Sequence, residues 1–413
     1  VGFLAAGLPR RARAGAVGAM KIVLLTHSIN PRGGVVHVLE LGRALRDRGH
    51  EVVIIAPALP GQRFFRATPC RVELATLRPG GADVAAQVRL RIEALRTHLQ
   101  ARARAERHDV LHAHDGIGAN ALADLVQQGA IGSYLRTVHH LDRYSDPRLQ
   151  AWEERSIRGA ARVLCVSSVW RERLLAEHGI AAVQVPNGID LERFSPGPDP
   201  ADAQVARRHG LAPGAPVVLF VGGIEARKNP LRLLQAFALA RRRLPRLQLV
   251  IAGGASLLDH GPQVLAFRAA AAAADLQLAE GGAGRGTEPG PAPGPGAAVI
   301  LTGPLPDADM PALYRRAAVV AMPSLIEGFG LAALEALACG TPALVARRAP
   351  FTEHFAEGDV QWADPLDVDS IATGLLRAIA GGRHGTVAAV CRRFSWSASA
   401  ERHEALYRAP QPA

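Results

Sequence analysis

The strongest constraint on this chain is an alternation of short apolar runs and amphipathic helices, met twice. Residues 22–25 are continuously apolar and a glycine loop follows them. Residues 35–48 then carry Val38, Leu41, Gly42 and Leu45 on one helical face, Gly49 stops the helix, and residues 51–56 form the next apolar run. A strand that is apolar throughout is buried on both faces, and two of them joined by a helix make a βαβ unit with parallel strands. Runs at 110–112, 135–138 and 163–166 continue the series. Turn-forming residues then accumulate in Val185-Pro186-Asn187-Gly188-Ile189-Asp190 and in the Pro and Gly of 195–200. Beyond them a second series starts, with runs at 217–221, 247–252, 299–301, 319–322 and 343–345 and helical segments such as 231–243 and 331–338. The fold class expected is α/β with two Rossmann-like halves, residues 20–190 and 191–385, followed by a helix and tail over 386–413.

Two segments stand outside this pattern. In residues 1–19, Arg10, Arg11 and Arg13 follow small apolar residues, the reverse of a secretory signal, and Met20 stands directly before the first run. An unstructured leader or a start placed too early is expected there. Residues 269–298 hold an alanine run and then GGAGRGTEPGPAPGPG, a composition read as a flexible insertion.

No apolar run reaches the roughly 18 residues that a bilayer-spanning helix needs. The four cysteines, Cys70, Cys165, Cys339 and Cys391, are dispersed, which excludes a zinc ribbon and favours a reducing, cytoplasmic setting. The net charge of +11 is carried by arginine, since Lys21 and Lys228 are the only lysines. That balance suits anionic ligands or an anionic membrane surface. The helical stripe of Val84, Val88, Ile92, Leu95 and Leu99, with Arg89, Arg91, Arg96, Arg102 and Arg104 lying away from it, leaves peripheral contact with the inner face of a membrane open. Dispersed arginines in a chain 5% aromatic argue against nucleic acid.

Ligands of open α/β sheets gather at the carboxyl ends of strands, so the loops after strands are the places to look. Gly33-Gly34 precede a helix after the first run, where unpaired N–H groups suit a phosphate. The loop Gly222-Gly223-Ile224-Glu225-Ala226-Arg227-Lys228-Asn229-Pro230 keeps a compact ammonium in a chain that elsewhere uses arginine. The loop Pro323-Ser324-Leu325-Ile326-Glu327-Gly328-Phe329-Gly330-Leu331 runs into a helix bearing Glu335, which sets two acceptors eight residues apart.

Together these segments resemble the retaining glycosyltransferases of the GT-B fold, specifically the family numbered 4, from Met20 almost to the end of the chain. Residues 33–38 (GGVVHV) match that family's amino-terminal loop, and 45–53 (LRDRGHEVV) its following helix end and strand. Residues 186–194 (PNGIDLERF) match the interdomain linker, 221–230 the donor-phosphate loop, and 323–342 the segment with two glutamates. The resemblance implies two domains facing across a cleft and transfer of a sugar from a nucleotide-diphosphate donor to an acceptor hydroxyl without a metal or cofactor. It implies that Lys228 and Arg227, with Gly222, Gly223, Gly33 and Gly34, hold the diphosphate and that Glu335 binds the ribose. Glu327, Gly328 and the Phe329, Gly330 and Leu331 backbone take the sugar and phosphates, and His139 of Thr137-Val138-His139 faces the sugar. Residues 394–407 resemble the family's last helix, which crosses back to the amino domain. The acceptor, whether glycan, lipid or small molecule, is expected to meet the amino domain.

One position departs from the family. Arginine usually follows the first glycine of the donor loop, and here Gly223 stands there. A nucleotide-sugar-binding protein with weak or no turnover therefore stays open as the alternative. A nicotinamide-dependent oxidoreductase does not, because no strand feeds a G-x-G-x-x-G loop with an acidic residue about 20 positions on. His112 and His114 follow one strand and are read as structural or lining the cleft. Asp307-Ala308-Asp309 and Asp367-Val368-Asp369 are read as helix caps.

Overall fold

The computed structural model describes residues 18–254, 260–281 and 296–410. Seven parallel strands form the first sheet: β1 (Lys21–Leu25), β2 (Glu51–Ala58), β3 (Arg71–Thr76), β4 (Val110–Ala113), β5 (Leu135–Val138), β6 (Arg162–Cys165) and β7 (Val183–Gln184), in the order β3-β2-β1-β4-β5-β6-β7. A second sheet contains β8 (Val217–Val221), β9 (Gln248–Ala252), β10 (Leu278–Glu280), β11 (Val299–Gly303), β12 (Val319–Met322), β13 (Ala343–Ala346) and β14 (Gln361–Ala363), in the order β10-β11-β9-β8-β12-β13-β14. Both orders reverse direction once, at β1/β4 and at β8/β12. These are the switch points at which crevices open beyond the strand ends. The loops after β1, β8 and β12 are the three singled out from sequence.

The halves are joined by more than the linker. Gly188 lets the linker pass the start of the last helix, since a Cβ there would lie 2.1 Å from the Trp396 nitrogen. Ile189 bridges to Ser395, whose hydroxyl caps helix Trp396–Arg408 by accepting from the Ala398 N–H at 3.1 Å. That helix lies against helix Gly33–Asp47 of the amino domain. Arg48 donates to Glu404 at 2.7 Å, His112 and the Tyr407 hydroxyl share a hydrogen bond of 2.8 Å, and Trp396, Ala400 and Tyr407 enter the amino-domain core. The GT-B architecture expected from sequence is thus present, with two facing Rossmann-like domains and a final helix that returns to the first.

Several expectations need correction. Part of the stretch read as an insertion is structured: helix Gly261–Ala273 extends into it, β10 pairs with β11, and Ala271, Leu276, Ala297 and Ala298 are buried. Within the alanine run Ala271 is buried and most of its neighbours face outward, so one buried face is enough to hold the helix. Residues 282–295 lie outside the described residues, as do 1–17 of the expected leader. Asp367 caps its helix through the Asp369 and Ser370 N–H groups. Asp309 does not cap: it is buried against Arg208 (3.0 Å) and His209 (2.7 Å), while Asp307 pairs with Arg193 at 2.8 Å. Arg102, placed with the arginines away from the apolar stripe, is buried between Glu73 and Glu106. No helix among the described residues is long and apolar enough to cross a membrane.

Candidate active site

The amino-domain wall begins at Gly33 and Gly34, the first residues of helix Gly33–Asp47. A Cβ on Gly34 would stand 3.3 Å from His139 Cδ2, so the glycine lets the ring lie against the first helical turn. His139 follows β5 and packs edge-on to His37, with ring centroids 4.7 Å apart, and His37 lies 4.9 Å from His114. The His37 Nδ1 pairs with the Asn187 side-chain oxygen at 2.8 Å, so the linker fixes that ring. The Nε2 atoms of His37, His114 and His139 are buried with no hydrogen-bond partner. Burial pushes His37 down to about 3 and also lowers His114 and His139, with neighbouring histidines adding to the effect. The cluster is neutral at physiological pH. The ligand atoms of these three lie within 4.8 Å of one another, close enough to make the cluster a candidate for holding a metal ion. His112, with Thr137 and Tyr407 on its two nitrogens, is structural. His140 turns outward to Asp142 at 3.1 Å.

The carboxyl-domain wall is stitched from two loops. Gly222 has φ 134°, and a Cβ there would lie 2.6 Å from the Lys228 Nζ, so the lysine folds back over the glycine and donates to the Val221 carbonyl at 3.2 Å. Asn229 takes the left-handed conformation, and its amide donates to the carbonyls of Pro323 (3.0 Å) and Pro365 (2.6 Å). The Arg227 carbonyl accepts from the Leu325 and Ile326 N–H groups at 2.8 and 3.2 Å. The lysine loop and the glutamate loop are therefore one unit. Burial alone would raise the Glu327 carboxyl, but Lys228, Arg227 and the Gly328 N–H at 3.0 Å outweigh it and hold the group below its usual range. An ionised acceptor thus sits beside two cations.

Gly330, with φ 92°, starts helix Leu331–Ala338 and abuts Phe351; Phe329 is buried and packs on His354 at 4.3 Å. Glu335 lies in different surroundings from Glu327. Its carboxylate accepts from the Tyr314 hydroxyl at 2.5 Å, burial raises it, and the charges acting on it are Arg193, Asp307 and Arg66 rather than the lysine loop. At Gly223 there is no room for the missing arginine, since a Cβ would stand 2.7 Å from the Gly254 carbonyl.

Two features escaped the sequence reading. Arg32, directly before the glycine pair, reaches across the cleft to the Gly254 carbonyl at 3.3 Å and lies close enough to Arg227 to feel its charge. Arg227 itself pairs with Glu225 at 2.7 Å. The second is the closeness of the walls: a Cβ on Gly328 would be 2.5 Å from the His139 carbonyl oxygen, so glutamate loop and histidine strand meet there. The tertiary signal for either was absent from local pattern, although a cation flanking Gly33 could have been noticed.

Comparison with known proteins agrees with the two-domain fold. Residues 31–193 match Glycosyltransferase Family 4, and residues 215–380 match Glycosyl transferases group 1. The chain is 29% identical over 325 residues to the D-inositol 3-phosphate glycosyltransferase of Corynebacterium aurimucosum, covering 73% of this chain and 71% of that protein. It is 31% identical over 282 residues to the enzyme of the same name from Actinosynnema mirum, covering 63% of this chain and 61% of the relative. Among solved structures, the Anabaena protein HepE in complex with UDP and glucose superposes with a TM-score of 0.70 at 19% identity, over 94% of this chain and 100% of that one. Fold, strand-end loops and both matched halves lead to one conclusion: the chain belongs to the glycosyltransferases of the GT-B fold.

Proposed function

We propose that this protein is a retaining, metal-independent glycosyltransferase of the family numbered 4, which transfers a hexosyl group from a nucleotide-diphosphate sugar to an acceptor hydroxyl. The observation that carries the proposal is the cluster of Lys228, Arg227 and ionised Glu327 at the β8/β12 switch point, facing His139 across the cleft. In the transfer, the bond between the anomeric carbon and the phosphate oxygen breaks and the acceptor oxygen bonds that carbon on the same face. The hydroxyl proton passes to the departing phosphate. Negative charge grows on the leaving diphosphate, where Lys228 and Arg227 supply fixed positive charge. Glu327 accepts from sugar hydroxyls, and neutral His139 offers its ring near the reacting carbon.

The relatives' names make a small phosphorylated polyol the first acceptor to try, and the UDP and glucose bound by HepE make UDP-sugars the first donors. The test is a melting screen with UDP-, GDP- and ADP-sugars, then proton NMR of the transferred sugar in the presence of a chelator. A donor held well above its dissociation constant stabilises by several kcal/mol. The reading expects one donor class to stabilise, and transfer with the anomeric configuration kept and chelator without effect. An inverted product overturns retention, loss of rate with chelator overturns metal independence, and donor binding without transfer leaves the binding-protein alternative.

A further inference from the structure

Residues Ser167 and Trp170 belong to the amino domain, at the start of helix Ser168–His178, yet both side chains bond the glutamate loop of the other domain. The Ser167 hydroxyl donates to the Gly328 carbonyl at 3.0 Å, and the Trp170 indole N–H donates to the same oxygen at 3.1 Å. Ser167 is 0% exposed and Trp170 1%, so a polar indole edge and a hydroxyl are sealed in the seam between domains. One residue later the Ser168 N–H and hydroxyl donate to Glu353 of the carboxyl domain at 2.8 and 2.7 Å. Four donors from one helix start therefore clasp two acceptors across the cleft.

Their target matters. Gly328 follows Glu327 directly, and its own N–H donates to the Glu327 carboxylate at 3.0 Å. Fixing the Gly328 carbonyl fixes the backbone that aims Glu327. A trans peptide points its carbonyl and the next N–H in opposite directions, so the same two bonds also set the direction of the Phe329 N–H. Opening the cleft would strip both donors from this oxygen and expose them.

We propose that Ser167 and Trp170 are positioning residues which lock the Glu327 loop only when the domains close, so that closure completes the sugar-binding side of the site. The inference rests on the transferase reading for its kinetic arm alone. Trp170→Phe keeps the ring and removes the donor, and Ser167→Ala removes the other. Each is expected to lower kcat by about five- to tenfold, as loss of one buried hydrogen bond allows, with the pair lowering it by more than either. Affinity for UDP, GDP or ADP, whichever stabilises the wild-type chain, should stay within twofold, and Ser167→Thr should restore kcat.

Hydrogen exchange over residues 324–330 provides the second arm. It should be slow in the wild type and faster in both variants, while exchange in β1 and β8 is unchanged. If the wild type turns over no nucleotide sugar, the functional reading fails and the exchange arm still decides the latch. If both variants retain wild-type protection over 324–330, or retain kcat in an active protein, the latch is overturned.

Discussion

Replacing Gly328 by Ala perturbs the site through geometry alone. The φ of Gly328 is not in the left-handed region, so alanine can adopt it, but its Cβ would come to 2.5 Å from the His139 carbonyl oxygen. An ordinary carbon–oxygen approach is about 3.3 Å, so the walls must separate by about 0.8 Å. The strain falls on the seam between the domains, where Phe329 and Trp170 share one apolar cluster, and so on cleft closure. Misplacing reacting groups by about 1 Å lowers turnover about 10²-fold. The expected result for Gly328→Ala is therefore a fall in kcat of about 10- to 100-fold, with nucleoside-diphosphate affinity and melting temperature close to wild type. Steady-state kinetics, isothermal titration with UDP or GDP and a melting curve measure all three. Turnover within twofold of wild type would refute this, because it would mean that the close approach of Gly328 to the His139 carbonyl is not part of the working state.

Other outcomes follow from the same contacts. Lys228→Ala removes a fixed cation and should cut turnover by about 10² to 10³, and unchanged kinetics in a folded variant would sink that assignment. His139→Ala should lower kcat and kcat/KM together, and His140→Ala, whose side chain turns out to Asp142, should be mild; the reverse order would put the register one residue off. Burial lowers His37 to about 3 and His403 to about 4, so the unfolded chain binds more protons than the folded one below pH ~6.5. Stability from these residues is fully present above pH ~6.5 and is lost as pH falls toward their folded values, by up to about 1.4 kcal/mol per residue per pH unit. Urea midpoints at pH 7.5, 6.5 and 5.5 should fall in that order, and a flat series would contradict the neutral cluster.

The central strands were legible because strands buried on both faces must be apolar throughout, and β1, β5, β8 and β12 were read to within one residue. The strands missed, β3, β7, β10 and β14, lie at or toward sheet edges. β3 reads RVELAT, with charged residues alternating, and the others have only two or three residues. Such strands owe their form to a neighbour rather than to their own pattern. In the site, Lys228 and Glu327 were legible because glycines and rare residue types marked their loops. What the loops do to one another was not. The Asn229 bonds to Pro323 and Pro365 and the Ser167 and Trp170 bonds to Gly328 join residues at least 94 positions apart. Asp309 shows the same limit: local pattern suggested a cap, and a histidine and an arginine 100 and 101 residues away claimed it instead.

The proposed function has a nucleotide sugar bound and broken between these two walls. Release of nucleoside diphosphate from UDP-, GDP- and ADP-sugars, measured with a polyol acceptor extract for the wild type beside Lys228→Ala and Glu327→Gln, tests it most directly. The expected result is acceptor-dependent release from one donor class, with both variants reduced at least about tenfold. Release that both variants retain in full, or no release from any donor by a folded chain, would contradict it.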